Sequence, residues 1–320
     1  MAEPIARRLL LLATLAMVAG CSGPPPIADA RPRDLPPAAL APAAWLGTVA
    51  TETAVRPGAT EGTMRFVRVE RLRHASGILL GEDLLLTNAH VWAEDGELPA
   101  RRTFLLGRPA LDGPPVEHAF ELVASSPIPD HMLDPEQRRA DSDAGDRDGP
   151  VPDWALARCL DATWTGGERA RIHPPATDPA WRPAPGTELL VVGHAPMFIR
   201  TAADGDDVPA PRSALDAAER FASAGPFVIR GPAVAFGGDA VLAYPATWPS
   251  PVGHSGGPVF VRDPGDGRLF LIGVFHTRIS LGSADEEGPR PSLLAFDPIG
   301  VVLEASGLEV DALRNPAPAR

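Results

Sequence analysis

From Met64 onward the chain is a succession of short apolar runs cut by turn residues, with few stretches in which apolar residues recur at helical spacing. A strand buries a face with roughly four to eight residues, whereas a helix needs about ten or more, so this punctuation constrains the body to an all-β fold. Ser76-Gly77-Ile78-Leu79-Leu80 and Leu84-Leu85-Leu86-Thr87 flank Gly81-Glu82-Asp83, a Gly-containing hairpin signal. Leu189–Gly193, Phe227–Ile229, Val234–Phe236, Val241–Tyr244, Pro258–Val261 and Leu269–Phe275 continue the series, and Asp263-Pro264-Gly265-Asp266-Gly267 is a turn between the last two. Many short strands in succession predict a sandwich or a barrel. Near the end, Asp297 is placed to cap a short helix over Ile299–Ala305, with Pro298 at its first position, after a strand at Leu293–Ala295.

The first residues read as an address. Arg7 and Arg8 precede the apolar run Leu9–Ala19, which leads into Gly20-Cys21. A positive region, a short apolar core and small residues before a cut site describe a secretory signal. The run is shorter than the roughly 20 apolar residues of a membrane-spanning helix. Val18-Ala19-Gly20-Cys21 resembles the lipobox of bacterial lipoproteins, which implies that Cys21 is acylated on sulfur and becomes the mature N-terminus. Several acyl chains anchor a protein stably. Ser22, in place of aspartate, implies the outer membrane within a bacterial cell envelope. Residues 22–45 follow as a Pro/Ala-rich disordered tether. Ser22–Ala44 holds seven prolines and almost no large apolar side chains, so it favours extended conformations spanning ~3.1 Å per residue. The folded domain is expected over 46–310, its halves at about 46–170 and 180–310, and 311–320 is expected to be a flexible tail.

Composition excludes several partners. A net charge of −12 opposes binding to nucleic acid, which needs a basic surface to displace counterions, and to anionic lipid by electrostatics. With Cys21 lipidated, only Cys159 remains, so no disulfide framework stabilises the domain. Cys159 lies inside an apolar run and reads as a small buried hydrophobe. The polar stretches Ser125–Pro152 and Thr201–Ala222 read as surface loops. Asp141, Asp143, Asp146 and Asp148 suggest a calcium loop, but Pro152 stands where an EF-hand requires its last glutamate. Neither a metal nor a cofactor is expected.

Three segments carry chemistry. Acyl transfer by serine needs a hydroxyl nucleophile, an imidazole to take its proton, a carboxylate to orient that imidazole, and N–H groups aimed at the developing oxyanion. Gly253-His254-Ser255-Gly256-Gly257-Pro258 surrounds a serine with glycines, which permit a tight turn and let the N–H groups of Gly253 and Ser255 approach a reacting carbonyl. His90 lies just past an apolar strand in Leu86-Thr87-Asn88-Ala89-His90-Val91, and Asp153 opens another apolar run, Asp153-Trp154-Ala155-Leu156.

Taken together, these segments resemble the trypsin/chymotrypsin superfamily, particularly its bacterial trypsin-like branch that includes the HtrA proteases. The segments ASGILL, LLTNAHV, DWAL and GHSGGPVF occur in the family order of His, Asp and Ser, 63 and 102 residues apart. The resemblance implies two Greek-key β-barrels of the chymotrypsin type with a short C-terminal helix, and a serine endopeptidase acting on peptide or protein substrates. His90 would be the general base, Asp153 its orienting acid and Ser255 the nucleophile. Three features depart from the family. There is no Ile-Val-Gly-Gly activation sequence, His254 precedes the nucleophile where animal trypsins carry aspartate, and too few residues follow His276 for a PDZ domain. These departures keep a second reading open, a catalytically silent fold serving as an envelope adaptor or peptide-binding protein.

In this family the primary pocket is walled by the stretch before the nucleophile and by the strand after it, here 248–252 and 274–278. No acidic residue occurs in either, so a preference for Lys or Arg is not expected. His276 resembles, one position out of register, a pocket histidine of bacterial glutamyl endopeptidases, and Ser250 and Thr277 would add donors and Arg278 charge for an acidic side chain. The alternative is a small apolar pocket beside Phe275, with His276 packed next to it.

Overall fold

The structure is a computed structural model that describes residues 35, 40, 42–57, 64–81, 83–94, 96–107, 115–128, 151–160, 170–194, 226–236, 239–244, 253–280 and 292–308. The signal segment with Cys21, Ser250, the Asp-rich loop and the C-terminal tail lie outside the described residues. The first six strands are β1 (Ala43–Pro57), β2 (Met64–Leu79), β3 (Leu84–Thr87), β4 (Arg101–Gly107), β5 (Val116–Ser125) and β6 (Ala155–Cys159). They close into an antiparallel barrel in the order β1-β2-β3-β6-β5-β4. The next six are β7 (Glu188–Gly193), β8 (Phe227–Phe236), β9 (Asp239–Tyr244), β10 (Pro258–Arg262), β11 (Leu269–Ser280) and β12 (Ser292–Pro298). They repeat the arrangement as β7-β8-β9-β12-β11-β10. In each barrel the third strand pairs with the sixth and the fourth returns beside the first, a Greek-key path. The fold is all-β, as the punctuated sequence requires.

The unbroken triplet Leu84-Leu85-Leu86 shows why these runs do not all alternate with polar residues. Side chains on a strand alternate between faces. Leu85 joins the core of the first barrel with Phe104 and Phe120, while Leu84 and Leu86 join the cluster that continues into the second barrel with Val192, Val259 and Leu271. Ile78 and Leu79 on β2 divide in the same way. A strand covered on both faces is apolar at every position. Full burial of each such leucine contributes about 1.5–3 kcal/mol.

Three local expectations are corrected. Ala43, Ala44 and Trp45 are fully buried in β1, and Leu35 and Leu40 also lie in the core, so the folded part begins inside the stretch expected to be tether. Phe227–Ile229 and Val234–Phe236 belong to one strand, β8, which pairs with β7 up to Pro232 and with β9 from Ala233. Gly231 and Pro232 therefore fall where the strand changes partners, a place that tolerates a residue without an N–H. The terminal helix, here α2 (Ile299–Ser306), has Pro298 itself at its N-cap and no side-chain cap. Asp297 is used elsewhere, as described below. Gly307, with φ 68°, ends α2 in the left-handed conformation that suits glycine.

Candidate active site

The histidine and the aspartate are brought together by the pairing of β3 with β6, which sets Thr87 opposite Ala155. His90 follows β3 on a single helical turn, α1 (Ala89–Trp92), and Asp153 precedes β6. One short turn has no stability of its own. It is held from three directions. Trp92 is fully buried, and its indole N–H donates to the Pro99 carbonyl at 2.7 Å. Nη1 of Arg102 on β4 donates to the carbonyls of Val91, Trp92 and Ala93, satisfying the groups that a helix C-terminus leaves unpaired.

Asp153 is fixed at every polar group. Its Oδ2 takes a hydrogen bond from His90 Nδ1, and its Oδ1 accepts the His90 backbone N–H at 3.0 Å. Its carbonyl accepts from Asn88 Nδ2 at 2.6 Å, and its own N–H donates to Asp297 Oδ2 at 2.8 Å. The carboxylate side chain is 1% exposed and the imidazole 23%. An orienting group is thus hidden from water while the ring it orients reaches the surface. Burial alone would raise the Asp153 pKa, but the hydrogen bonds and charge of His90 outweigh it and hold the carboxyl below its ordinary value. The aspartate stays ionised. Donation from Nδ1 leaves Nε2 as the basic nitrogen of the ring.

Ser255 comes from the second barrel, just before β10. Gly253 (φ 92°) and Gly256 (φ 82°) flank it in the left-handed region, where a side chain is disfavoured. At Gly256 a Cβ would also overlap the Ser76 carbonyl and the Thr87 hydroxyl. The turn closes through Gly257 N–H to the His254 carbonyl at 2.7 Å, and Gly256 N–H donates to the Phe275 carbonyl at 2.9 Å. The first barrel then grips the same loop through one buried residue. Ser76 donates its N–H to the Ser255 carbonyl at 2.8 Å and its hydroxyl to the Gly253 carbonyl at 2.7 Å. That hydroxyl also accepts the His194 N–H at 2.9 Å. Among the described residues, the N–H groups of Gly253 and Ser255 donate to no protein acceptor. His90, Gly253 and Ser255 line one cleft of about 280 Å³. Imidazole, hydroxyl and N–H groups in one cleft form a donor and acceptor set suited to acyl transfer.

The pocket expectation for His276 is corrected. The register of β11 against β12 shifts between Phe275 and Thr277, and such an extra residue redirects a side chain. His276 is turned inward behind the Asp153 backbone, with Nε2 4.0 Å from Asp297 Oδ1 and its side chain 2% exposed. Burial pushes its pKa down to about 4, against an opposing pull from Asp153, so the ring is neutral near pH 7. A ring so enclosed does not line the cleft that holds His90 and Ser255. Thr277 and Arg278 remain partly exposed on β11. His254 is buried beneath the Ser255 loop, where a side chain at Gly193 would overlap it.

Of the residues singled out in the sequence, the fold sets His90 against Asp153 and brings His90 and Ser255 into one cleft, while the residues that hold them have no role assigned from sequence. Asn88 and Ser76 lie within the His90 and Gly77 segments, where nothing local marks them as anchors. Asp297 fits a helix cap by local pattern but binds the Asp153 N–H instead, and Arg102 gives no sequence signal.

Paired Greek-key barrels with a His–Asp pair and a glycine-flanked serine at their seam define the class of trypsin-like folds. The chain belongs to the family of the trypsin-like peptidase domain, whose model matches residues 75–274. No curated protein is similar enough in sequence to be matched. Among solved structures, a Glu endopeptidase determined in complex with MPD is similar at 13% identity and a TM-score of 0.42, over 84% of this chain and 91% of that one.

Proposed function

We propose that the protein is a serine endopeptidase of the bacterial cell envelope, anchored through lipid on Cys21. The observation that carries this reading is the His90–Asp153 pair, with its free ring nitrogen in the same cleft as Ser255. In the proposed reaction the Ser255 hydroxyl oxygen attacks the scissile carbonyl while His90 Nε2 takes the hydroxyl proton. The oxyanion so formed accepts hydrogen bonds from the N–H groups of Gly253 and Ser255. Collapse breaks the C–N bond, His90 returns its proton to the leaving amine, and an ester to Ser255 remains. Water, deprotonated by His90, then hydrolyses that ester. Asp153 stays ionised and stabilises the imidazolium formed in each half. No metal or cofactor takes part in this scheme.

A fluorophosphonate probe applied to the full chain tests the reading. Covalent labelling that is lost in Ser255→Ala is the expected result, because only an activated serine reacts efficiently. A folded chain that neither labels nor cleaves peptides would favour the adaptor reading instead. The anchor has its own test. Wild-type protein should partition with membranes, and Cys21→Ser should block processing or release it; a wholly soluble wild type with an unmodified N-terminus would refute the anchor.

A further inference from the structure

We infer that the cleft beside His90 binds a carboxylate on the leaving half of the substrate, between the guanidinium groups of Arg73 and Arg102. The inference rests on the peptidase reading and adds a substrate class to it. His90 must hand its proton to the departing nitrogen, so that half of the substrate lies on the side of His90, while the acyl half stays on Ser255. The walls on the His90 side come from the first barrel: Leu46 and Thr48 of β1, Arg73 and His74 of β2, and Arg102 and Phe104 of β4.

Among these lining residues are two arginines and no carboxylate. The chain as a whole carries 41 acidic against 29 basic residues, so a cationic cleft runs against its bulk charge. Arg102 is held in place by its Nη1 bonds to α1, and its guanidinium lies 5.2 Å from the Phe104 ring centroid. Its orientation is therefore fixed before any ligand arrives. Arg73 is exposed at the rim, opposite Thr48 across the β1–β2 pair, and has no ionic partner among the described residues. Burial lowers the Arg102 pKa most, the nearby Glu94 carboxylate raises it, and the Arg73 cation lowers it by less, so the two guanidinium groups are near enough to sense each other. A carboxylate placed between them would be attracted by both. His74 is kept neutral by burial and adds no charge. The planar fork of Arg73 matches carboxylate geometry, and Arg102, with Nη1 taken by α1, adds its charge and remaining N–H donors. The carboxylate can come from an acidic side chain or from a free C-terminus close behind the cut.

The test uses the full chain and internally quenched peptides that share one acyl half. Their first two leaving-half residues are Glu, Gln or Lys, each made as a C-terminal amide and as a free acid. The expected result is a kcat/KM for carboxylate-bearing peptides about three- to tenfold above their amide counterparts, shrinking as salt is raised. Arg73→Gln should reduce this ratio and Arg73→Glu should invert it. Comparing substrates within each variant cancels any general effect on turnover. A gain from Glu in the amide series assigns the carboxylate to the side chain, and a gain confined to free acids assigns it to the chain end. Equal rates for Glu, Gln and Lys together with equal rates for amides and free acids overturn the inference. If Ser255 labels with fluorophosphonate but no peptide of the set is cut, the same peptides serve as competitors of labelling. Stronger protection by the acidic members then supports the inference, and equal protection overturns it. A wild-type chain that does not label fails the peptidase reading itself, a separate outcome.

Discussion

Removing one hydroxyl should loosen both the seam between the barrels and the loop that carries the nucleophile. Ser76 is fully buried, and its Oγ serves two groups, donating to the Gly253 carbonyl and accepting the His194 N–H. Ser76→Ala leaves a carbonyl and an N–H without partners in a place water does not reach. Each such loss costs about 1–3 kcal/mol, so the pair should cost about 2–4 kcal/mol once partial relaxation is allowed. That is a substantial share of the roughly 5–15 kcal/mol by which folded domains are stable. For a domain of this size it corresponds to a fall in Tm of about 5–15 °C. The catalytic effect is separable. The Ser76 N–H bond to the Ser255 carbonyl and the Thr87 hydroxyl bond to the Ser76 carbonyl survive the substitution, so the loop stays attached. The Gly253–His254 peptide, however, which lies between the N–H groups of Gly253 and Ser255, loses the contact that fixes its plane. A missing oxyanion donor costs about 10²–10³ in rate, and a loosened one should cost about 10- to 100-fold. The assay is fluorophosphonate labelling at a temperature where both proteins are folded, beside urea unfolding of each. A stability change under about 0.5 kcal/mol with labelling within twofold of wild type would show that this contact does not hold the loop.

Gly256→Ala should be harsher, because it sets a side chain at φ 82° against the Ser76 carbonyl and the Thr87 hydroxyl. Strain of about 1–3 kcal/mol and a displaced Ser255 should abolish labelling while circular dichroism still reports a folded chain; labelling at the wild-type rate would refute this loop geometry. Asp153→Asn should lower turnover by about 10⁴-fold, the loss a neutralised orienting carboxylate causes in serine proteases, and a loss below tenfold would mean that another acid orients His90. Stability should also fall on mild acidification. His194 is pushed down to about 3 by burial and its histidine neighbours, and His276 to about 4. Both are neutral when folded at pH values where the unfolded chain, with ordinary histidines, already binds protons. Folding stability is therefore fully present above about pH 6.5 and declines below it by up to about 1.4 kcal/mol per pH unit for each histidine. The depressed Asp153 carboxyl acts further down, since its stabilising effect is lost only as pH falls through its folded value. Unfolding free energies that stay flat between pH 7 and 4.5 would contradict the burial of these rings.

What could be read from the sequence divides along physical lines. Leu84–Thr87, Leu189–Gly193 and Pro258–Val261 were legible as strands because their apolar runs are bounded by turn residues and filled on both faces. His90, Asp153 and Ser255 stand out as candidates because acyl transfer demands those residue types and glycines beside the serine. Asp297 was misread because a residue before proline and an apolar run satisfies a local capping rule. The fold instead spends its carboxylate on an N–H 144 residues away. His276 was misread because a β-bulge reverses which face of the strand a side chain takes, and a period-2 pattern carries no sign of it. Arg102 left no trace at all, since its acceptors are backbone carbonyls on another element and any sequence supplies those.

The bonds across the seam are reciprocal, and this has a consequence for how the site comes into being. The first barrel supplies His90 and Asp153 but depends on Asp297 of the second barrel to fix the Asp153 backbone. The second barrel supplies Ser255 but depends on Ser76 of the first barrel to fix the loop around it. Each half therefore holds the reacting groups of the other. Contacts separated by 144 and 177 residues form only after both barrels have closed, because loop-closure entropy sets long-range pairing late. Each half-site lacks one of its anchors until the seam closes. The nucleophile should then become reactive in the same step in which the seam closes, so a chain with one barrel unfolded should show no residual labelling in proportion to the folded half.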